Sequence, residues 1–133
     1  MVDINIGYPK YDTPLHLVAI SGTVQIIKIL LDNGLSVDLR NGWESTPLHK
    51  SMSAACGKLE ATKAFVERGA AVDKDDKNGD IPLLLAARYG KLEVFRYLTE
   101  EGADINIRDV HTNNVLHYAA TSGTVWNYQD FTR

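Results

Sequence analysis

Three of the four histidines, the one cysteine and an acidic run are the residues of this 133-residue chain whose chemistry would exceed that of a scaffold. The histidines stand in near-copies of one phrase: Thr13-Pro14-Leu15-His16, Thr46-Pro47-Leu48-His49 and Asn114-Val115-Leu116-His117, with Ile81-Pro82-Leu83-Leu84 as a variant that lacks the imidazole. A zinc ion needs each ligand nitrogen within about 2.1 Å. If the phrase recurs once per layer of packed helices, His16, His49 and His117 lie on the order of 10 Å apart per layer, so they share no metal and none is expected. Cys56 follows His49 by seven residues, about two helical turns or roughly 10 Å, too far for the imidazole to take the thiol proton; a small, partly buried filler is the expectation. The run Asp73, Asp75, Asp76, Asn78, Gly79, Asp80 fails as a calcium loop. With Gly79 in the sixth place the first ligand would be Lys74 and the bidentate acid Leu85, so both are missing. A solvated hairpin tip is expected there. The chain carries no glycine-rich phosphate loop and no G-x-S-x-G segment, so an enzymatic role has no residues to rest on, and no cofactor is implied.

The elements that position these residues follow from the repetition itself. The phrase starts at 13, 46, 81 and 114, and two further markers keep step with it. Ile4-Asn5, Val37-Asp38, Val72-Asp73 and Ile105-Asn106 place a polar residue eight positions before each start. Glycines twelve apart, Gly22 and Gly34, Gly57 and Gly69, Gly90 and Gly102, follow it. Two extra residues between His49 and Gly57, in "HKSMSAACG", account for the one longer interval; they should lengthen the first helix or bulge its turn, and deleting two residues there should leave folding intact. Each unit reads as a helical pair. Thr13 and Thr46 are good N-caps and the next proline suits the first helical position, where its missing N–H costs nothing. Glycine closes the helix because it tolerates the left-handed conformation. In the second helix Val24, Ile27 and Leu31, with Ile26 and Leu30 beside them, make an apolar stripe, repeated by Leu92, Val94, Phe95 and Leu98.

The T-P-L-H phrase, the glycine-closed helices, the Gly102-Ala103-Asp104-Ile105-Asn106 ending and a period near 33 resemble the ankyrin repeat family over almost the whole chain. The resemblance implies an all-α solenoid of stacked helix-turn-helix units with hairpin-like loops. Its expected organisation is a single domain over 1–133: a partial hairpin at 1–12, repeats at about 13–45, 46–80 and 81–113, and an incomplete or capping repeat at 114–133. It also implies that each imidazole bonds to backbone and ties hairpin to helix.

The same resemblance implies a non-catalytic module that binds a protein or peptide on a concave groove lined by hairpin tips and first helices. By register the groove residues are Lys10, Asp12, Ile20 and Ser21 in the first unit and Arg40, Trp43, Ser45, Ala55 and Cys56 in the second. The third supplies Asp75, Lys77, Asn78, Asp80, Arg88 and Tyr89, and the fourth Arg108, His111, Asn113, Thr121 and Ser122. Trp43 stands out, because aromatic side chains dominate interface hot spots. Asn106, eight residues after Leu98 in the Asp104-Ile105-Asn106 context, resembles asparagines that an oxygen-dependent enzyme hydroxylates in this family, set against a purely structural turn residue. The alternative is a regulatory or docking fragment of a larger enzyme, channel or effector.

Composition narrows the partners. A net charge of −3 with interspersed signs offers no basic block to neutralise phosphates, so no nucleic acid is expected. No run approaches the ~20 apolar residues of a membrane span, so no membrane is expected either. The single cysteine excludes an internal disulfide and suits a reducing intracellular compartment, the cytoplasm. Met1 to Ile6 aligns with the tail of a preceding unit, and Val18 and Ile20 add apolar bulk. The array is therefore expected to have continued N-terminally, or this segment to pack elsewhere; weak self-association through uncapped ends is a third possibility. At the other end Asn127 and Asp130 fall where apolar residues sit in earlier units, as in a cap or in a chain leaving the repeat, with Trp126, Tyr128 and Phe131 covering the stack.

Overall fold

A computed structural model describes residues 12–21, 23–52 and 59–132. Seven α-helices and one 3₁₀ turn occur among them, with no strand. They are α1 (Pro14–Ser21), α2 (Val24–Asp32), α3 (Pro47–Ser51), α4 (Leu59–Glu67), α5 (Pro82–Arg88), α6 (Leu92–Glu100) and α7 (Val115–Thr121), then the turn Tyr128–Phe131.

The start of α3 shows how the repeated phrase works. The Thr46 hydroxyl accepts the His49 N–H at 3.5 Å, and the Thr46 N–H donates to His49 Nδ1 at 3.1 Å. Cap and ring therefore satisfy each other's orphan groups, with Pro47 in the first helical position. Asn114 and His117 repeat the device at α7, where the Asn114 side chain accepts from the Leu116 and His117 N–H groups. The second helices end on glycines in the left-handed region: Gly34 at φ 92°, Gly69 at 93° and Gly102 at 94°. Each sits in a pair of closing bonds, as in Gly34 N–H to Leu31 carbonyl and Leu35 N–H to Leu30 carbonyl.

The units stack in chain order. First helices pack α1 on α3, α3 on α5 and α5 on α7; second helices pack α2 on α4 and α4 on α6. One apolar core runs through the stack from Leu15 and Ile27 through Leu48 and Phe65 to Leu83, Leu84, Phe95 and Leu98, all 1% exposed or less. A single pair of short helices cannot bury both faces, so this shared interior is what makes each layer stable.

Two expectations change on contact with the structure, those for Ile26 and Tyr128, and two that were left open, for the inserted pair and the fourth unit, are narrowed. Helix α3 is not lengthened by the two extra residues. It ends at Ser51, and Met52 closes it; residues 53–58, which include Ala55, Cys56 and Gly57, lie outside the described residues, as do 1–11, among them Met1 to Ile6 and Lys10, and Gly22. Of the stripe on α2 only Ile27 is buried; Ile26 is 45% exposed, because its counterparts Ala61 and Val94 are covered by the preceding layer and Ile26 has none among the described residues. In the fourth unit a second helix does not form: an extended stretch leads into the 3₁₀ turn. Polar residues at the register sites explain this. Asp130 is buried by a two-pronged pairing with Arg96 (Nε to Oδ1 2.6 Å, Nη2 to Oδ2 3.4 Å) and takes the Asn127 N–H at 2.7 Å. The chain then covers Phe95 with Trp126 and Phe131, whose ring centroids lie 5.0 and 5.7 Å from it. Tyr128 takes no part in that cover, being 84% exposed.

Candidate protein-binding groove

The tips are built by one repeated device. An Asn or Asp five residues before each phrase accepts two backbone N–H groups with one side-chain oxygen. Asn41 takes those of Trp43 and Ser45 at 2.9 and 3.1 Å, Asp76 those of Asn78 and Asp80 at 2.9 and 3.0 Å, and Asp109 those of His111 and Asn113 at 2.9 and 3.0 Å. Such short polar side chains fold the backbone into a turn without a partner strand. Neighbouring tips are tied by main-chain bonds, Lys77 N–H to Trp43 carbonyl and Val110 N–H to Asn78 carbonyl, both 3.0 Å. Tip spacing is thus set by backbone, not by mobile side chains.

The histidines lock the tips to the helices. His16 Nδ1 accepts the Thr13 N–H at 3.1 Å and His49 Nδ1 the Thr46 N–H, which leaves Nε2–H to donate across the layer. His16 reaches the Ser45 carbonyl at 2.7 Å, and His49 the Asp80 carbonyl at 2.9 Å. Burial pushes both imidazoles below the ordinary histidine pKa, against the opposing pull of those carbonyls. Both nitrogens of each ring are committed, and no group of three or more His, Cys, Asp or Glu gathers for a metal among the described residues. Leu84 fills the third position as buried bulk, while His117 is exposed because no layer follows it among the described residues.

Arg88 organises the deep wall. Its guanidinium lies over the Tyr118 ring, 4.4 Å from the centroid, and donates to Asp80 Oδ2 at 2.9 Å and to the Tyr118 hydroxyl at 2.8 Å. Asp109 Oδ2 stands 3.8 Å away and accepts the Tyr118 hydroxyl proton. Burial pushes the Asp80 carboxyl above the ordinary range, with Arg88 pulling the other way. Burial also pulls Asp109 up, but the Tyr118 hydroxyl and the Asn113 and His111 N–H groups outweigh it and hold Asp109 low.

Of the residues assigned to the groove, Arg40, Trp43, Lys77, Asn78, Tyr89, Arg108 and His111 are exposed, and Ile20, Ser45, Arg88 and Asn113 are half-buried. Two are framework. Asp12 accepts from Asn41 Nδ2 at 2.6 Å and pairs with Lys50 at 3.6 Å. Asp80 is fully buried, so it is corrected from a surface contact to part of the wall, sealed by Arg88 from its own layer. Arg108 folds back to the Thr112 carbonyl at 2.8 Å. Asn106 is exposed and its N–H donates to Asp104 Oδ1 at 2.9 Å. Its register partners Asp38 and Asp73 instead reach the next layer, accepting the Ala71 and Asp104 N–H groups. Sequence reading missed Lys50, Asp76, Asp109 and Tyr118. Asp76 and Asp109 carry a signal in hindsight, since they share the register of Asn41.

A model of the family described as ankyrin repeats, in three copies, matches residues 50–130, and a single-repeat model matches 10–42. The chain belongs to the ankyrin repeat family. Ankyrin repeats are protein-interaction modules. The chain is similar to the transient receptor potential cation channel subfamily A member 1 of Drosophila melanogaster, 28% identical over 116 residues that make 84% of this chain and 10% of that protein. An L-asparaginase of Dirofilaria immitis is 30% identical over 91% of this chain and 20% of its own length. The NF-kappa-B inhibitor alpha of Sus scrofa is 30% identical over 80% of this chain and 35% of its own. The chain therefore spans between a tenth and about a third of these relatives. No helix among the described residues is long and apolar enough to cross a membrane.

Proposed function

We propose that the chain is a non-catalytic interaction module that binds a protein or peptide across the tips and first helices of its middle layers. The observation that carries this reading is the placement of two exposed aromatics, Trp43 at 65% and Tyr89 at 42%, on the rim of one cleft, on a frame of backbone bonds between tips. Exposed aromatics beside a fixed, partly desolvated wall are the makings of a hot spot. Arg40, Lys77, Asn78, His111 and Asn113 continue the surface to either side. The enzyme and channel among the relatives favour a second reading, in which the repeats dock or regulate chemistry held elsewhere in a longer protein. Both readings use the same face. The compartment that suits them is intracellular, in keeping with a single cysteine.

The test is to select binders from a random-peptide library and map them by amide chemical shifts on ¹⁵N-labelled protein. Shifts concentrated at Trp43, Asn78, Arg88 and Tyr89 are expected. Shifts confined to the exposed faces of α2, α4 and α6 would contradict the groove.

A further inference from the structure

The groove holds one polar atom that its own fold leaves unanswered. The Asp80 side chain is 0% exposed. Arg88 takes only its Oδ2, and Oδ1 has no hydrogen-bond partner among the described residues. A buried acceptor without a donor is costly, more so in a carboxylate. Asp80 forms part of the wall of a cleft of about 230 Å³ between the second and third tips, rimmed by Trp43 and Tyr89 and bordered by Asp76. Water fills liquid at ~30 Å³ per molecule, so the cleft is too roomy for one water. It falls short of the ~300 Å³ where pockets begin to hold whole small ligands. One extended side chain is the right size.

Resting on the groove reading above, we propose that this cleft is a socket for a lysine side chain of the partner, its ammonium donating to Asp80 Oδ1 and its methylenes lying between Trp43 and Tyr89. Charge favours a cation. The two cations of the wall are already engaged, Lys50 with Asp12 at 3.6 Å and Arg88 with Asp80 and Asp109 at 2.9 and 3.8 Å. Two carboxylates, Asp76 and Asp80, line the cleft with them, and Asp12 and Asp109 lie outside the lining as the partners that hold Lys50 and Arg88. Arg40 and Lys77 are exposed, where solvent and salt screen them. Geometry favours lysine over arginine. A guanidinium gains most from gripping both oxygens of a carboxylate at once, and Arg88 already occupies one; an ammonium is a compact donor that needs only the other. The aromatic rim suits the same guest, since indole and phenol faces attract a cation and cover its apolar stem. Entry requires those exposed rings to turn, a motion of exposed side chains on the picosecond-to-nanosecond scale.

The probe is n-butylammonium chloride, the lysine side chain without its backbone, titrated at constant ionic strength into ¹³C,¹⁵N-labelled protein. The readouts are the Asp80 carboxyl carbon and the Trp43 indole N–H. Both should move together and saturate. Asp80→Asn should weaken the response about tenfold or more, the loss expected for one charge-assisted bond. Because that variant also disturbs Arg88, Trp43→Ala serves as the second; its side chain is exposed, so folding is kept, and the Asp80 response should weaken severalfold. The proposal is overturned if the Asp80 carboxyl does not respond up to roughly 100 mM, the weak limit for a ligand with so few atoms, or if n-butanol or n-butylguanidinium acts equally well. Peptides that map to the tips without preferring lysine over norleucine would sink the socket and leave the groove. Peptides that map elsewhere would sink the groove, while the butylammonium titration decides the socket by itself.

Discussion

His49 joins three pieces of chain through one ring: its own cap at Thr46, its own helix and the Asp80 carbonyl of the next layer. Replacing it by leucine, the residue at the same register in Leu84, keeps the bulk and strips both bonds. The loss should be about 1–3 kcal/mol, the cost of leaving a buried donor and acceptor unpaired, read as a lower denaturant midpoint. The pH dependence has a definite sign. Burial lowers the folded pKa of His16 and His49 below 6.5, so the unfolded chain binds more protons beneath that pH, and the stability these residues contribute is complete above it and lost as pH falls through the folded values. The raised Asp80 carboxyl acts in the opposite sense, lowering stability as pH rises from about 3.8 through its folded value. Unfolding measured from pH 7.5 down to 5 should show a decline that His49→Leu reduces and does not abolish, since His16 remains. At the tips, Glu44 and Thr112 hold φ 58° and 64° at the register of Gly79, which holds 74°. Left-handed backbone costs a residue with Cβ roughly 1–2 kcal/mol. Glu44→Gly, with an exposed side chain, should therefore raise stability by up to about 1 kcal/mol, a few degrees in Tm. The histidines' role could be expected ahead of the structure from the family resemblance that the repeated phrase carries. The burial of Asp80 could not, because it depends on where Arg88 lies, and Arg88 is held by Tyr118 and Asp109 from another layer.

At the level of elements, glycines of the same apparent kind are constrained by different things. Gly34 is left-handed with open space where a Cβ would go. Gly90, at φ 67°, would bring a Cβ within 2.1 Å of Thr124 Oγ1, whose hydroxyl donates to the Gly90 carbonyl at 3.1 Å. Gly34→Ala should cost only the backbone strain, about 1 kcal/mol; Gly90→Ala should cost more, since it also displaces Thr124 and its bond. Equal losses in parallel urea titrations would contradict that distinction. The seven α-helices of the described residues follow from capping, proline and glycine spacing because those signals are local. The turn at Tyr128–Phe131 does not, since what halts a second helix there is the pull of Arg96 on Asp130 from 34 residues away. Polar letters at Asn127 and Asp130 mark the departure without describing its shape.

Across the whole molecule, each layer's stability comes from its neighbours, so the ends matter out of proportion to their length. Residues 114–132 cover α5 with α7 and Phe95 with Trp126 and Phe131. Aromatic side chains bury 150–250 Å² each, so at about 25 cal/mol per Å² removal of that cover forfeits on the order of 5 kcal/mol or more, comparable with the whole stability of a small domain. A chain ending at residue 113 should lose its cooperative thermal transition near room temperature; an unchanged transition would show that the last unit is ornamental. The stacked architecture was legible from the repeat markers together with the family resemblance they carry, because register is a global signal. The exposure of Ile26 was not, since an apolar stripe tells which face seeks cover and not whether a layer lies there.

The central claim is that partners engage the tips and first helices and not the outer second helices. Its most direct measurement is the affinity of one library-selected peptide for Trp43→Ala compared with Lys28→Ala, an exposed site on α2. The account predicts a loss of about tenfold or more for Trp43→Ala and less than about twofold for Lys28→Ala. Unchanged binding by Trp43→Ala together with a large loss for Lys28→Ala would contradict it.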